Sequence, residues 1–182
     1  MEKTKRIEED KYFNDDTLTE YTVEEGVEEI GGSAFNFCEN LKKVTIPRGV
    51  RRICEDAFRA TGLTEVTLKE GVEEIGDWAF YHCSSLERVV LVKGIRKIGK
   101  DAFAYNKKLT ELEIHEGVEE IGERFVLGTS LHTITLPLHP IPRFRDLAFQ
   151  GSYRGLPLPS HRTLRLRGTY HAAPLSIRIP RI

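Results

Sequence analysis

A motif that returns every 22 or 23 residues constrains this chain more than anything else in it. Leucines stand at Leu18, Leu41, Leu63, Leu86, Leu109 and Leu131, with spacings of 23, 22, 23, 23 and 22. Three positions after each comes Tyr21, Val44, Val66, Val89, Leu112 or Ile134, and two further on Val23, Ile46, Leu68, Leu91, Ile114 or Leu136. A constant period of this length makes each copy one structural unit, which cannot bury its apolar face alone and must stack on its neighbours.

The rest of the period is as regular. Eight residues after the first five leucines stand Gly26, Gly49, Gly71, Gly94 and Gly117, where a chain turning a corner needs positive φ or close backbone approach. A V-x-x-I step follows each: Val27/Ile30, Val50/Ile53, Val72/Ile75, Ile95/Ile98 and Val118/Ile121. Gly comes next in four copies and Cys54 in the other. Then comes A-F, at Ala34-Phe35, Ala57-Phe58, Ala79-Phe80 and Ala102-Phe103. One copy therefore reads as one coil: a short parallel strand at L-x-x-V-x-L, a glycine corner, a second extended piece, and a tight turn whose Phe plugs the core. The pattern loosens at both ends. Phe125-Val126 replaces A-F in the fifth copy; the sixth has His139 where glycine stood and reaches Ala148-Phe149 one residue late. Ile7 to Phe13 reads as the back half of a coil with one residue inserted.

Leu41 to Phe58 and Leu63 to Cys83 follow L-x-x-V-x-L-P-x-G-V-x-x-I-G-x-x-A-F-x-x-C closely, and residues 18–130 resemble BspA-type leucine-rich repeats. The resemblance implies a right-handed leucine-rich-repeat solenoid of five to six coils. Each coil would hold one parallel strand, with short turns or helical turns on the other side. Residues 1–17 form an N-terminal cap or degenerate half-repeat, 18–149 the solenoid, and 150–182 an Arg/Pro-rich C-terminal cap or disordered tail. For function it implies adhesion or host-protein binding at the cell surface in some members, and unassigned interaction roles in many others.

A second period lies over the first. Glu-Gly-Val-Glu-Glu-Ile-Gly occurs unchanged at 25–31, 70–76 and 116–122, while the copies between carry Arg48, Arg51 and Arg52, or Lys93, Arg96 and Lys97. Stacked strands lie about 4.8 Å apart, so Glu28-Glu29, Arg51-Arg52, Glu73-Glu74, Arg96-Lys97 and Glu119-Glu120 form ladders of alternating sign. Glu20, Lys43, Glu65, Arg88 and Glu111 do the same on the strand. Opposite charges on adjacent strands favour correct register and like charges oppose slippage, which is the first reading of these ladders. A charged binding stripe is the alternative.

Composition divides the chain. Residues 1–130 hold 19 Lys and Arg against 27 Asp and Glu, whereas 131–182 hold 8 against 1, with seven of the eight prolines. The change marks a boundary near 131–137, and a wrongly joined or frame-shifted coding segment would also produce it. Arg162, Arg165, Arg167, Arg178 and Arg181 raise a nucleic-acid contact through the tail, since they would neutralise phosphates. Against that, Tyr153 and Tyr170 are too few for stacking platforms. Leu164-Arg165-Leu166-Arg167 and Ile177-Arg178-Ile179 alternate like edge strands, with pairing limited by Pro157, Pro159, Pro174 and Pro180. Met1 to Asp16 lacks the apolar run of a signal peptide, so a cytoplasmic or other intracellular place is expected for the chain as written, and the cell surface if it is a fragment.

Chemistry-bearing residues are sparse. Ser84, His82 and Asp77 lie on one turn without a nucleophile elbow or oxyanion signature. Cys38 and Cys83 sit at one level two coils apart, about 9.6 Å by the strand spacing, too far for a disulfide or a shared metal with His82. Cys38 and Cys83 are expected as buried thiols at the consensus position, taken elsewhere by Thr61, Asn106 and Thr129. With Cys54 they make an odd count that fits reduced thiols. Phe37, Trp78, Tyr81 and Tyr105 are assigned to core filling and turn packing beside A-F. No phosphate loop, dinucleotide fingerprint or H-E-x-x-H is present, so no cofactor, no metal and no catalytic residue is expected.

What remains is surface. Solenoids bind on extended faces, and leucine-rich repeats usually do so on the concave parallel sheet. Here that face carries Thr22, Thr45, Thr67, Val90, Glu113 and Thr135. A protein partner is expected on this small, largely uncharged row; the alternatives are a solvated Thr row favoured by β propensity, or an array that is part of a larger surface protein.

Overall fold

A computed structural model describes residues 5–131, 133–137, 142–145 and 148, together with the backbone of 175–178. Two sets of parallel strands alternate along the chain. The first set holds two residues per coil at the end of V-x-x-I: β1 (Arg6–Ile7), β3 (Glu29–Ile30), β5 (Arg52–Ile53), β7 (Glu74–Ile75), β9 (Lys97–Ile98), β11 (Glu120–Ile121) and β13 (Arg143–Phe144). They form one continuous seven-stranded sheet in sequence order. The second set occupies L-x-x-V-x-L: β2 (Glu20–Thr22), β4 (Lys43–Thr45), β6 (Glu65–Thr67), β8 (Arg88–Val90), β10 (Glu111–Glu113) and β12 (Thr133–Leu136). This set divides into three ladders, β2–β4, β6–β8 and β10–β12, and β14 (Leu175–Arg178) adds antiparallel to β12. None of the described residues is helical; the expected solenoid of parallel coils turns without helices.

The core lies between the two strand sets. In coil three, Leu63, Val66, Leu68, Val72, Ile75, Ala79 and Phe80 are all buried, and every coil from Leu41 to Ile121 repeats that pattern. Stacked phenylalanines run through it. Ring centroids are 5.1 Å apart for Phe35 and Phe58, 5.3 Å for Phe58 and Phe80, and 5.4 Å for Phe80 and Phe103, with planes within 6° of parallel.

The A-F turn explains how the coils hold one register. Ser33, Phe35 and Phe37 donate their amides to the carbonyls of Glu55, Ala57 and Arg59 in the next coil, at 2.8–2.9 Å. Asp56, Phe58 and Ala60 then donate to Asp77, Ala79 and Tyr81. To aim alternate amides along the axis, the backbone enters the left-handed region at two positions four residues apart in each coil: Ser33 and Phe37, Asp56 and Ala60, Trp78 and His82, Asp101 and Tyr105. Left-handed backbone costs a non-glycine residue about 1–2 kcal/mol. It persists because a turn without these hydrogen bonds would bury unpaired polar groups.

The same signature corrects the N-terminal reading. Asp10 and Asn14 have positive φ, which puts Tyr12 at the aromatic position with no residue inserted. Tyr12 stacks on Phe35 at 5.1 Å and its hydroxyl meets that of Tyr21 at 3.0 Å, while Phe13 is 50% exposed. In the fifth coil Phe125 takes the alanine position, since it accepts from Phe103, and Val126 takes the phenylalanine position. Phe149 and His139 lie outside the described residues.

The corner glycines have φ between 80° and 115°, as their recurrence implied. Four of the five coils carry glycine after V-x-x-I for a different reason, since a Cβ at Gly122 would collide with the Lys100 amide nitrogen of the preceding coil; the second coil admits Cys54 there.

Removing one ring from the stack should open a cavity that neighbouring coils, held by their own amides, cannot close. Phe58→Ala is expected to cost about 3–5 kcal/mol in urea unfolding, with Phe58→Leu clearly milder. Equal losses would mean that the rings are not packed as a stack.

Candidate functional site

The strand face follows from side-chain alternation. Leu63, Val66 and Leu68 point inward and are buried, so Glu65 and Thr67 point outward. The six residues expected for recognition occupy the same outward position of six successive coils, in three registered pairs: Thr22 with Thr45, Thr67 with Val90, and Glu113 with Thr135. Thr22, Thr45 and Glu113 are exposed; Thr67, Val90 and Thr135 are half-buried. A groove of about 270 Å³ opens over β8, β10 and β12, across the break between the second and third ladders. It brings Val90, Glu113 and Thr135 together with Arg88, Glu111 and His115. Sequence reading missed these three neighbours as site residues, although a lone charge at Glu113 in a row of Thr and Val was a visible signal.

On the opposite sheet the register sets Arg6, Glu29, Arg52, Glu74, Lys97, Glu120 and Arg143 in line, alternating in sign throughout. Arg52 and Lys97 both reach Glu74, at 3.4 and 3.3 Å, while Arg96 meets Glu119 at 2.8 Å and Arg145 meets Glu120 at 2.7 Å. Arg145 holds the Glu120 carboxyl below the usual range by its hydrogen bond. The ladder thus continues past the compositional boundary, to Arg143 and Arg145. Charges that neutralise one another along a sheet set register and leave little field for a partner.

Along the A-F turns lies an aromatic ridge. Phe13 meets Phe37 edge-on at 5.9 Å, Arg59 lies over Phe37 at 5.9 Å and over Tyr81 at 5.1 Å, and Tyr81 meets Tyr105 at 5.3 Å. Phe37 and Tyr105 are 38% and 37% exposed, so their expected role in core filling does not hold. Both sit at left-handed positions, and the core position of each coil belongs to Phe35 and Phe103.

The chemical readings dissolve into structure. Asp77 accepts the Lys100 amide at 2.8 Å and the His82 ring lies against Tyr81, so the turn holding Ser84 is tied into its neighbours. Among the described residues no group of three His, Cys, Asp or Glu side chains is placed to hold a metal. The three cysteines are free thiols. Cys38 donates to the Tyr12 carbonyl at 2.9 Å and Cys83 to that of Phe58 at 3.1 Å; Thr61 and Asn106 use their side chains the same way, on Phe58 and on Phe80 and Phe103. The consensus position therefore satisfies a carbonyl of the Phe row. Burial pushes the Cys83 and Cys54 thiols up to about 11, which keeps them protonated and unreactive at neutral pH.

Arg162, Arg165, Arg167 and Arg181 lie outside the described residues, as does Leu164 to Arg167, and Arg178 is placed by its backbone alone. No helix among the described residues is long and apolar enough to cross a membrane.

Comparison with known proteins agrees with this geometry. The family described as BspA type leucine rich repeat region matches residues 5–60 and 28–154, in six copies. A leucine rich cell surface protein from Faecalibacterium prausnitzii is similar at 28% identity and a TM-score of 0.56, over 72% of this chain and 42% of that one. The pneumococcal vaccine antigen PcpA shares the fold at 20% identity and 0.58, over 71% and 31%. A leucine-rich repeat protein from Eubacterium ventriosum does so at 21% and 0.56, over 77% and 45%. The chain spans less than half the length of each of these three. No curated protein matches it.

Two outcomes test the roles of the charge ladder and the thiols. Glu74→Lys places three cations in line with Arg52 and Lys97, and should lower the urea midpoint by the equivalent of about 0.5–1 kcal/mol. Glu74→Gln, which removes the attraction without setting like charges side by side, should lose less; an equal loss would remove register control. For the thiols, an unfolded cysteine ionises near 9 while folded Cys83 and Cys54 hold their protons to about 11. Their contribution is whole below pH 9 and is lost as pH rises from 9 to 11. Melting temperature should fall over that window, with a shallower slope in Cys83→Ser; identical slopes would contradict the burial effect.

Proposed function

We propose that this chain, which belongs to the BspA-type leucine-rich-repeat family, is a non-catalytic scaffold that binds a protein partner on the face of its three-residue strands. One observation carries the reading: six successive coils present the same outward position, filled by small or uncharged residues except at Glu113. Such a row leaves room for a partner's side chains, and the charged row at Glu20, Lys43, Glu65, Arg88 and Glu111 frames it as a polar rim. The other surfaces favour it by elimination of roles, since the opposite ladder neutralises itself and the thiols, His82 and Asp77 have structural partners. In leucine-rich repeats this face is usually the concave one.

A second reading takes the chain as one stretch of a longer surface protein. It is supported by the F. prausnitzii cell surface protein, of which this chain matches 42% at 28% identity. The two readings share the binding face and differ in what flanks it. The surface is the cellular place this likeness favours.

Thr45→Arg/Thr67→Arg fills the row with two long cations without touching a buried residue. Wild type and variant, both checked for folding by circular dichroism, are used to capture partners from a lysate of the source cell. A partner retained by wild type and lost by the variant is the expected result. Equal capture by both would move the site off this face.

A further inference from the structure

We infer that the partner inserts a lysine or arginine side chain into the groove over β8, β10 and β12, between the carboxylates of Glu111 and Glu113. This rests on the strand-face reading above and names the chemistry that the face selects. The groove's volume of about 270 Å³ is below the roughly 300–1,000 Å³ that encloses a small-molecule ligand, and suits one long side chain entering from an extended segment. It opens where two ladders part, between β8 and β10, so the face is indented there.

Charge decides what fills it. Elsewhere the register sets each charge of the outer strand row against its opposite, Glu20 against Lys43 and Glu65 against Arg88. On β10 the rule stops: Glu111 is set against Thr133 and Glu113 against Thr135. Both carboxylates point outward two residues apart, about 7 Å along a strand. Among the described residues Arg88 is the one Lys or Arg side chain lining the groove, and His115 Nδ1 lies 3.5 Å from Glu113 Oε1. Two carboxylates against one guanidinium leave the lining with net negative charge while His115 is neutral. An incoming cation completes on this face the alternation that the chain builds for itself on the other, and its aliphatic stem meets Val90.

The test uses phage-displayed random heptapeptides selected on the immobilised full chain, on Glu111→Gln/Glu113→Gln and on Thr45→Arg/Thr67→Arg. Melting curves confirm that both variants fold. Wild type should enrich Lys or Arg at one peptide position at least tenfold over the input. The enrichment should vanish on Glu111→Gln/Glu113→Gln, and the binding of a selected peptide should weaken at least tenfold between 0.05 and 0.5 M salt. Peptides enriched without a cation, the same cation on the glutamine variant, or no enriched peptide at all would each overturn the inference. Failure of the broader reading looks different: the cation preference would survive Thr45→Arg/Thr67→Arg undiminished, leaving the groove to act without the row. Neutral peptides that bind wild type and are lost on that variant would keep the row and sink the groove.

Discussion

Three amides in each A-F turn from Ser33 to Tyr105 have no acceptor in their own coil and find one in the next. That requirement sets the rest of the molecule. A coil can differ from its neighbour by a residue at a corner, but the distance from V-x-x-I to the turn is held, because any slip would leave buried donors unpaired. The same axial approach demands no side chain at Gly122 and stacks the rings of Phe35, Phe58, Phe80 and Phe103 face over face. Parallel rings with centroids 5.1–5.4 Å apart lie in the separation range that offset stacking favours. Here the backbone dictates their spacing. At the surface Phe13 with Phe37 and Tyr81 with Tyr105 meet edge-on.

Much of this was legible in the chain. The period, the inward rows, the corner glycines and the charge ladders are one-dimensional patterns, and stacking converts each directly into a row. What escaped was backbone conformation, which residue type marks at some turn positions and not at others. Asp10, Asn14 and Asp56 are of types enriched in left-handed backbone, but Trp78 and Tyr105 are not, and the turn needs it there too. Without that signature Ile7 to Phe13 reads as a turn with one residue inserted and Phe13 as its aromatic, a place that Tyr12 holds. Arg143 and Arg145 escaped because composition suggested a boundary ten residues earlier; register, which composition does not carry, joins them to Glu120.

The binding face was legible as a row but not as a relief. Alternation tells which side chains point outward, and so picks out Thr22 through Thr135. It does not tell that the row's sheet parts between β8 and β10, because both strands obey the same consensus. The groove is therefore a property of the stack. Its chemistry comes from Glu113, the position where the row departs from its own pattern, which is where a scaffold of near-identical coils can become particular to one partner.

The sign alternation from Arg6 to Arg143 has a consequence for how such a chain can change length. Recombination between near-identical repeats adds or drops whole coils. A single added coil would carry a glutamate pair into contact with another, or a cationic pair with another, and the penalty would recur in each charged row. An exchange of two coils, the distance between one Glu-Gly-Val-Glu-Glu-Ile-Gly and the next, leaves every neighbour opposite in sign. The array is built to grow and shrink in pairs, and an odd number of gained coils would have to be followed by charge reversals before the stack closed as tightly as it does now.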